Sequence, residues 1–188
     1  MRRKLCLVVP LLLLITLLVA WIVTPREILP DFLRRAGKFD GKSTAYWIET
    51  LRTTRDIKER RRAAYALAII SSDFGLDREA KEVLPVLLEG MNDQDEFVKK
   101  MSMNAFGPMG RHAVPAVPAL IAEAANRESQ TREVAIHVLG ELGPAAKEAV
   151  PVLLEAYREE WGDAYSHYFT GQALKRIDPN AAAAAGVR

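Results

Sequence analysis

AKEVLPVLLE at residues 80–89 and AKEAVPVLLE at residues 146–155 are one segment written twice. Eight of their ten positions are identical, and 66 residues separate them. Midway lies AVPAVPALIA, residues 113–122, so Pro85, Pro118 and Pro151 recur with a period of 33 residues in matching apolar contexts. A fixed period of this length marks a stacked repeat, in which each unit is too small to bury its apolar face without neighbours.

A second motif follows each copy of the first. Aligned, it reads VKKMSMNAFG (98–107), TREVAIHVLG (131–140) and SHYFTGQALK (166–175), with an earlier copy ERRRAAYALA (59–68). Its second position is basic, or His167 in the last copy, and its fifth is small. Positions one, five, eight and nine fall on one side of a helix. Each unit is therefore expected to be a pair of helices, the first carrying the proline and the second the basic-then-small pattern. Gly107-Pro108-Met109-Gly110 and Gly143-Pro144 supply stops between units. Asp56-Ile57-Lys58-Glu59 has the spacing of a capping box.

The spacing predicts helices over 43–53, 57–71, 78–91, 94–107, 115–126, 129–142, 145–160 and 163–177. The expected fold is all-α: an α-solenoid of about four helix pairs (43–76, 77–110, 111–143 and 144–178), behind one N-terminal transmembrane or signal helix. The first pair lacks the proline. The last departs from the pattern at Ser166, His167 and Thr170. Residues 179–188, ending AAAAAGVR, read as a disordered tail.

Residues 5–23, LCLVVPLLLLITLLVAWIV, carry no charge and follow Arg2-Arg3-Lys4. At ~1.5 Å per residue such a run reaches roughly 30 Å, the thickness of a bilayer core. Residues 1–24 are read as a signal anchor, giving a single-pass membrane protein whose body lies outside the cytoplasm. The alternative is a signal peptide cleaved after Ala20, giving a secreted or periplasmic body, although Leu18 stands where a small residue would favour cleavage. Residues 25–42, with Pro25, Pro30, Gly37 and Gly41, read as a linker containing one short helix at 31–36.

Charge is unevenly spread. Residues 25–76 hold 11 basic and 7 acidic side chains, and residues 77–188 hold 12 basic and 17 acidic. A nucleic-acid binder is expected to be more basic than this. Cys6 is the only cysteine and lies in the apolar run, which excludes an intrachain disulfide, a cysteine metal cluster and a cysteine nucleophile in the body.

The two motifs resemble HEAT repeats of the short bacterial kind. Gly143-Pro144-Ala145-Ala146 matches their inter-repeat turn, and Val117-Pro118-Ala119-Leu120 matches their first helix. The resemblance covers residues 43–178. It implies that the basic residue of the second helix joins an acidic residue of the intra-repeat turn in a structural ladder, which falls here on Arg60, Lys99 and Arg132, with His167 as a deviant. It also implies that second helices line a concave side.

Position seven of the second motif is spare to the core. It carries Tyr65, Asn104, His137 and Gln172, a column suited to recognising a protein or peptide, or else an ordinary polar face. Arg52, Arg55, Lys58, Arg61 and Arg62 form the densest basic patch, a contact for anionic lipid or nucleic acid, or else a solvated face broken by Asp56 and Glu59. His112, His137 and His167 are the only histidines, and none has the i, i+4 pairing of a helical zinc site. Trp161-Gly162-Asp163 lies in the last intra-unit turn, with Asp163 read as a cap. No phosphate loop or nucleophile motif occurs.

These features lead to a membrane-anchored interaction or scaffold module with neither cofactor nor catalysis, contacting the membrane through residues 5–24. The alternatives are a HEAT-like enzyme of the nucleic-acid glycosylase or bilin-lyase type, and a regulatory subunit of a neighbouring enzyme.

Overall fold

The structure, a computed structural model, describes residues 38–72, 77–158 and 164–187. The chain divides into residues 1–35 and 36–188, and only the second unit is described. The apolar run 5–23, the short helix expected at 31–36 and Trp161-Gly162-Asp163 lie outside the described residues. Among those described, no helix is long and apolar enough to cross a membrane.

The unit is helical apart from a two-stranded ribbon. Strands β1 (Lys38–Phe39) and β2 (Lys42–Ser43) pair antiparallel across Asp40 and Gly41, both at positive φ. Asp-Gly is the dipeptide that a tight hairpin of this kind requires. The last residues of the expected linker are thus a hairpin. Helices α1 (Thr44–Thr53), α2 (Ile57–Ser71), α3 (Asp77–Gly90), α4 (Glu96–Asn104), a short α5 (Phe106–Met109), α6 (Val117–Ala125), α7 (Arg132–Leu142), α8 (Val150–Arg158), α9 (Ala164–Ile177) and α10 (Pro179–Ala184) follow.

Side-chain caps fix several starts. Asp56 accepts the Lys58 amide at 2.8 Å as α2 begins, and Asp95 accepts the Val98 amide at 3.1 Å as α4 begins. Each satisfies one of the amides that a helix N-terminus leaves unpaired.

The 33-residue prolines take two local forms. Pro118 and Pro151 are the second residues of α6 and α8, where a missing N–H costs nothing. Ahead of them the chain forms 3-10 segments, Gly110–Ala116 and Gly143–Ala149, in place of the expected α-helical starts at 115 and 145. Pro85 lies inside α3, which has already run from Asp77.

The helices pack in the order of the motifs. Helices α1 and α2, α3 and α4, α6 and α7, and α8 and α9 pair, and α2, α4, α7 and α9 pack successively against one another. Helix α1 also contacts α3, and α6 contacts α8. Two layers result, one of first helices and one of second helices.

Burial follows the pattern of the second motif. Positions five, eight and nine are buried in all four copies: Ala63, Ala66 and Leu67; Ser102, Ala105 and Phe106; Ala135, Val138 and Leu139; Thr170, Ala173 and Leu174. Small residues allow close approach. A Cβ added at Gly140 of α7 would stand 2.9 Å from both Cα and Cβ of Ala173 on α9.

Both ends of the described helical array are covered. Phe39 of the hairpin meets the Trp47 ring edge-on at 5.9 Å and the Tyr65 ring at 5.7 Å, and its carbonyl accepts from Trp47 Nε1 at 3.1 Å. At the other end, the tail expected to be disordered forms α10. Asp178 accepts the amides of Asn180 and Ala181 at 3.1 Å, Pro179 takes the first turn, and Ala182 is buried. Val187 packs on the core. The tail is ordered because its small residues fit the otherwise open face of the last pair.

Candidate functional site

The second helices place three depressions side by side. One has a volume of about 260 Å³ and is lined by Asn104 of α4, by Glu133, Val134, Ile136 and His137 of α7, by Ala156 of α8, and by Ser166, His167, Phe169 and Thr170 of α9. His137 also borders a second of about 120 Å³, with Gly140, Tyr168, Phe169, Gln172, Ala173 and Arg176. Gly140 and Arg176 border a third, with Gly107, Pro108 and Glu141.

Periodicity is what aligns these groups. Glu133 and His137 are four residues apart on α7, and Ser166, Phe169 and Thr170 occupy the facing turns of α9. The Ser166 hydroxyl donates to Glu133 Oε1, and Thr170 Oγ1 donates to the Ser166 carbonyl at 2.9 Å. His137 Nδ1 stands 3.9 Å from Glu141 Oε2, and its ring centroid lies 6.5 Å from that of Phe169. His167 stacks on Tyr157 at 4.0 Å between centroids. Tyr168 is 59% exposed and meets Phe169 edge-on at 5.4 Å.

Of the expected column, Asn104, His137 and Gln172 therefore border adjoining depressions. Tyr65 does not join them: it is exposed on α2, and its ring packs edge-on to Phe39. Sequence reasoning missed Glu133, Phe169, Tyr168 and Arg176. The available signal was the set of departures in the last unit, since Ser166, His167 and Thr170 all line the first of these depressions.

Carboxylates hold most of the basic patch. Arg52 donates to both oxygens of Glu89, at 3.0 and 2.8 Å. Arg61 grips Asp95, with Nη2 2.7 Å from Oδ2, and Arg62 pairs with Asp40. The guanidinium of Arg61 holds the Asp95 carboxyl below its ordinary range, and Arg52 does the same to Glu89. Arg55 and Lys58 are exposed.

The three ladder positions behave differently. Arg60 Nε lies 3.0 Å from Asp93 Oδ2, which stands 33 residues on, in the intra-unit turn of the next pair. Lys99 Nζ lies 3.9 Å from Glu96 on its own helix. Arg132 is only 2% exposed, and its Nε donates to the Ala124 carbonyl at 2.6 Å, tying α7 to the end of α6.

Among the described residues no group of three or more His, Cys, Asp or Glu side chains is arranged to hold a metal.

No family model matches the chain, and no curated protein matches it. Among solved structures it is similar to the crystal structure of an engineered protein, with 22% identity and a TM-score of 0.57 over 76% of this chain and 68% of that one. At this identity the likeness concerns the fold alone.

Proposed function

We propose that this chain is a HEAT-like α-solenoid of four helix pairs, acting as a membrane-anchored interaction module without catalysis of its own. The observation that carries the reading is the run of adjoining depressions along α4, α7 and α9. They expose hydrogen-bonding groups (Asn104, His137, Gln172) beside apolar and aromatic walls. That combination suits a peptide, whose backbone needs donors and acceptors and whose side chains need pockets. The solenoid reading is supported by the two helix layers, and by Arg60 and Asp93, paired one sequence period apart. The anchor reading is supported by the uncharged run 5–23 behind three basic residues.

A photo-crosslinking amino acid placed at His137, in the full chain in membranes, tests the binding face. Ala122, exposed on α6 of the other layer, is the comparison site. A protein adduct is expected from position 137 and not from 122. Adducts from 122 alone, or from neither position, would overturn the reading. Protease protection of the same membranes is expected to place residues 43–178 outside the cytoplasm. Digestion from the cytoplasmic side would reverse that orientation.

A further inference from the structure

We propose that the depression between α7 and α9 takes the cationic side chain of a lysine or arginine from a bound peptide segment, an assignment that rests on the interaction-module reading above. Glu133 is the only carboxylate on its described walls, and no lysine or arginine lines them. A cation entering there meets one fixed negative charge and no described competitor on those walls.

The walls suit the rest of such a side chain. Val134, Ile136 and Ala156 offer aliphatic surface to the methylene stem, which lysine and arginine bury readily. Phe169 adds an aromatic ring, a favourable neighbour for an ammonium or guanidinium. Ser166 donates to Glu133 Oε1, which orients the carboxylate. A carboxylate accepts about four hydrogen bonds, so this one donor leaves capacity for a guanidinium fork or an ammonium.

The neighbouring surface sets the register. The depression over Gly107, Pro108 and Gly140 has both Glu141 and Arg176 on its walls and carries no such bias. A basic side chain is therefore favoured at one place along the second helices, with neutral residues beside it facing Asn104 and Gln172. Residues 77–188, with 12 basic and 17 acidic side chains, add a weak long-range attraction for a basic segment.

The experiment uses the full chain in detergent micelles and fluorescence anisotropy with labelled short peptide pools. One position is fixed as Arg, Lys, citrulline or Glu, and the others are randomised. Citrulline keeps the shape of arginine and removes its charge. The Arg and Lys pools are expected to bind about ten-fold more tightly than the citrulline and Glu pools, the size of one charge-assisted hydrogen bond. Glu133→Gln keeps an oxygen for Ser166 and is expected to erase that difference. Glu133→Lys is expected to turn the preference toward the Glu pool, and thermal melting of each variant checks its folding. Equal binding of the Arg and citrulline pools, or a preference that survives Glu133→Gln, overturns the cation assignment while leaving peptide binding in place. No binding by any pool, together with no adduct at position 137, overturns both readings.

Discussion

Two residues one sequence period apart show how tightly single positions are constrained. Gly110 has φ 53° and ψ −125°, and Gly143 has φ 59° and ψ −137°. A side chain disfavours this region because its Cβ crowds the backbone, at a cost of roughly 1–3 kcal/mol. Alanine also restricts the unfolded chain, which returns about 0.4–1 kcal/mol. Added atoms would meet nothing within 4 Å at Gly110, and only the Arg176 carbonyl at 3.6 Å at Gly143. Backbone strain alone thus decides the outcome. Gly110→Ala and Gly143→Ala are each expected to lose about 1–2 kcal/mol in urea unfolding, and equal stability to wild type would count against these turns. Asp95 is constrained by charge instead. Its carboxyl is held low first by Arg61 and further by the Val98 amide. It binds fewer protons folded than unfolded, so its contribution is complete above the unfolded value of about 3.9 and disappears as pH falls toward the folded one. Asp95→Ala should cost about 1 kcal/mol at neutral pH through the lost cap. Melting curves of wild type and variant should converge in acid; a constant gap at all pH values would refute the assignment.

Elements were legible in proportion to how local their causes are. Helix α2 could be read from Asp56 and from the apolar positions Ala63, Ala66, Leu67 and Ile70, because cap and periodicity lie within the helix itself. The 3-10 segments at 110–116 and 143–149 were not, because sequence period does not distinguish a tightened turn from an α-helical one. Helix α10 was missed for another reason. Asp178-Pro179 is a start signal, but six residues cannot sustain a helix alone, and its order comes from packing that no local pattern records. The site divides the same way: position seven pointed to Asn104, His137 and Gln172, whereas the carboxylate–hydroxyl contact of Glu133 with Ser166 depends on how α7 meets α9. Helix α10 is therefore expected to depend on its cap. The Asp178 carboxyl is held low first by the Ala181 amide, with Lys147 nearby at 3.8 Å. Asp178→Ala should speed hydrogen exchange of the amides from Ala182 to Val187 and leave α7 unchanged. Unaltered exchange at those amides would show that packing alone holds the element.

In a stack of units the coupling between neighbours matters more than the stability of any one. In the solenoid proposed above, units interact chiefly with their neighbours, and the whole would behave as a sum of unit and interface terms. The first pair meets the second through apolar contacts of α2 with α4, and through two ion pairs that reach one period along the chain. Arg60 grips Asp93 and Arg61 grips Asp95, so both carboxylates of the second intra-unit turn are held by the first unit. Surface pairs usually contribute little, but here both acidic partners are largely buried, at 15% and 13% exposure, and one is also the cap of α4. Losing both arginines leaves two poorly solvated charges at one junction. The joint variant Arg60→Gln, Arg61→Gln is therefore expected to weaken that junction more than the two single changes add up to, because each arginine helps to order the same turn. Native-state hydrogen exchange should then show α1 and α2 opening as a separate unit, while α7 and α9, joined through Gly140 and Ala173, keep their protection. Exchange that rises equally in all four helix pairs would mean that the helices open as one body and that these ion pairs do not set the first point of failure.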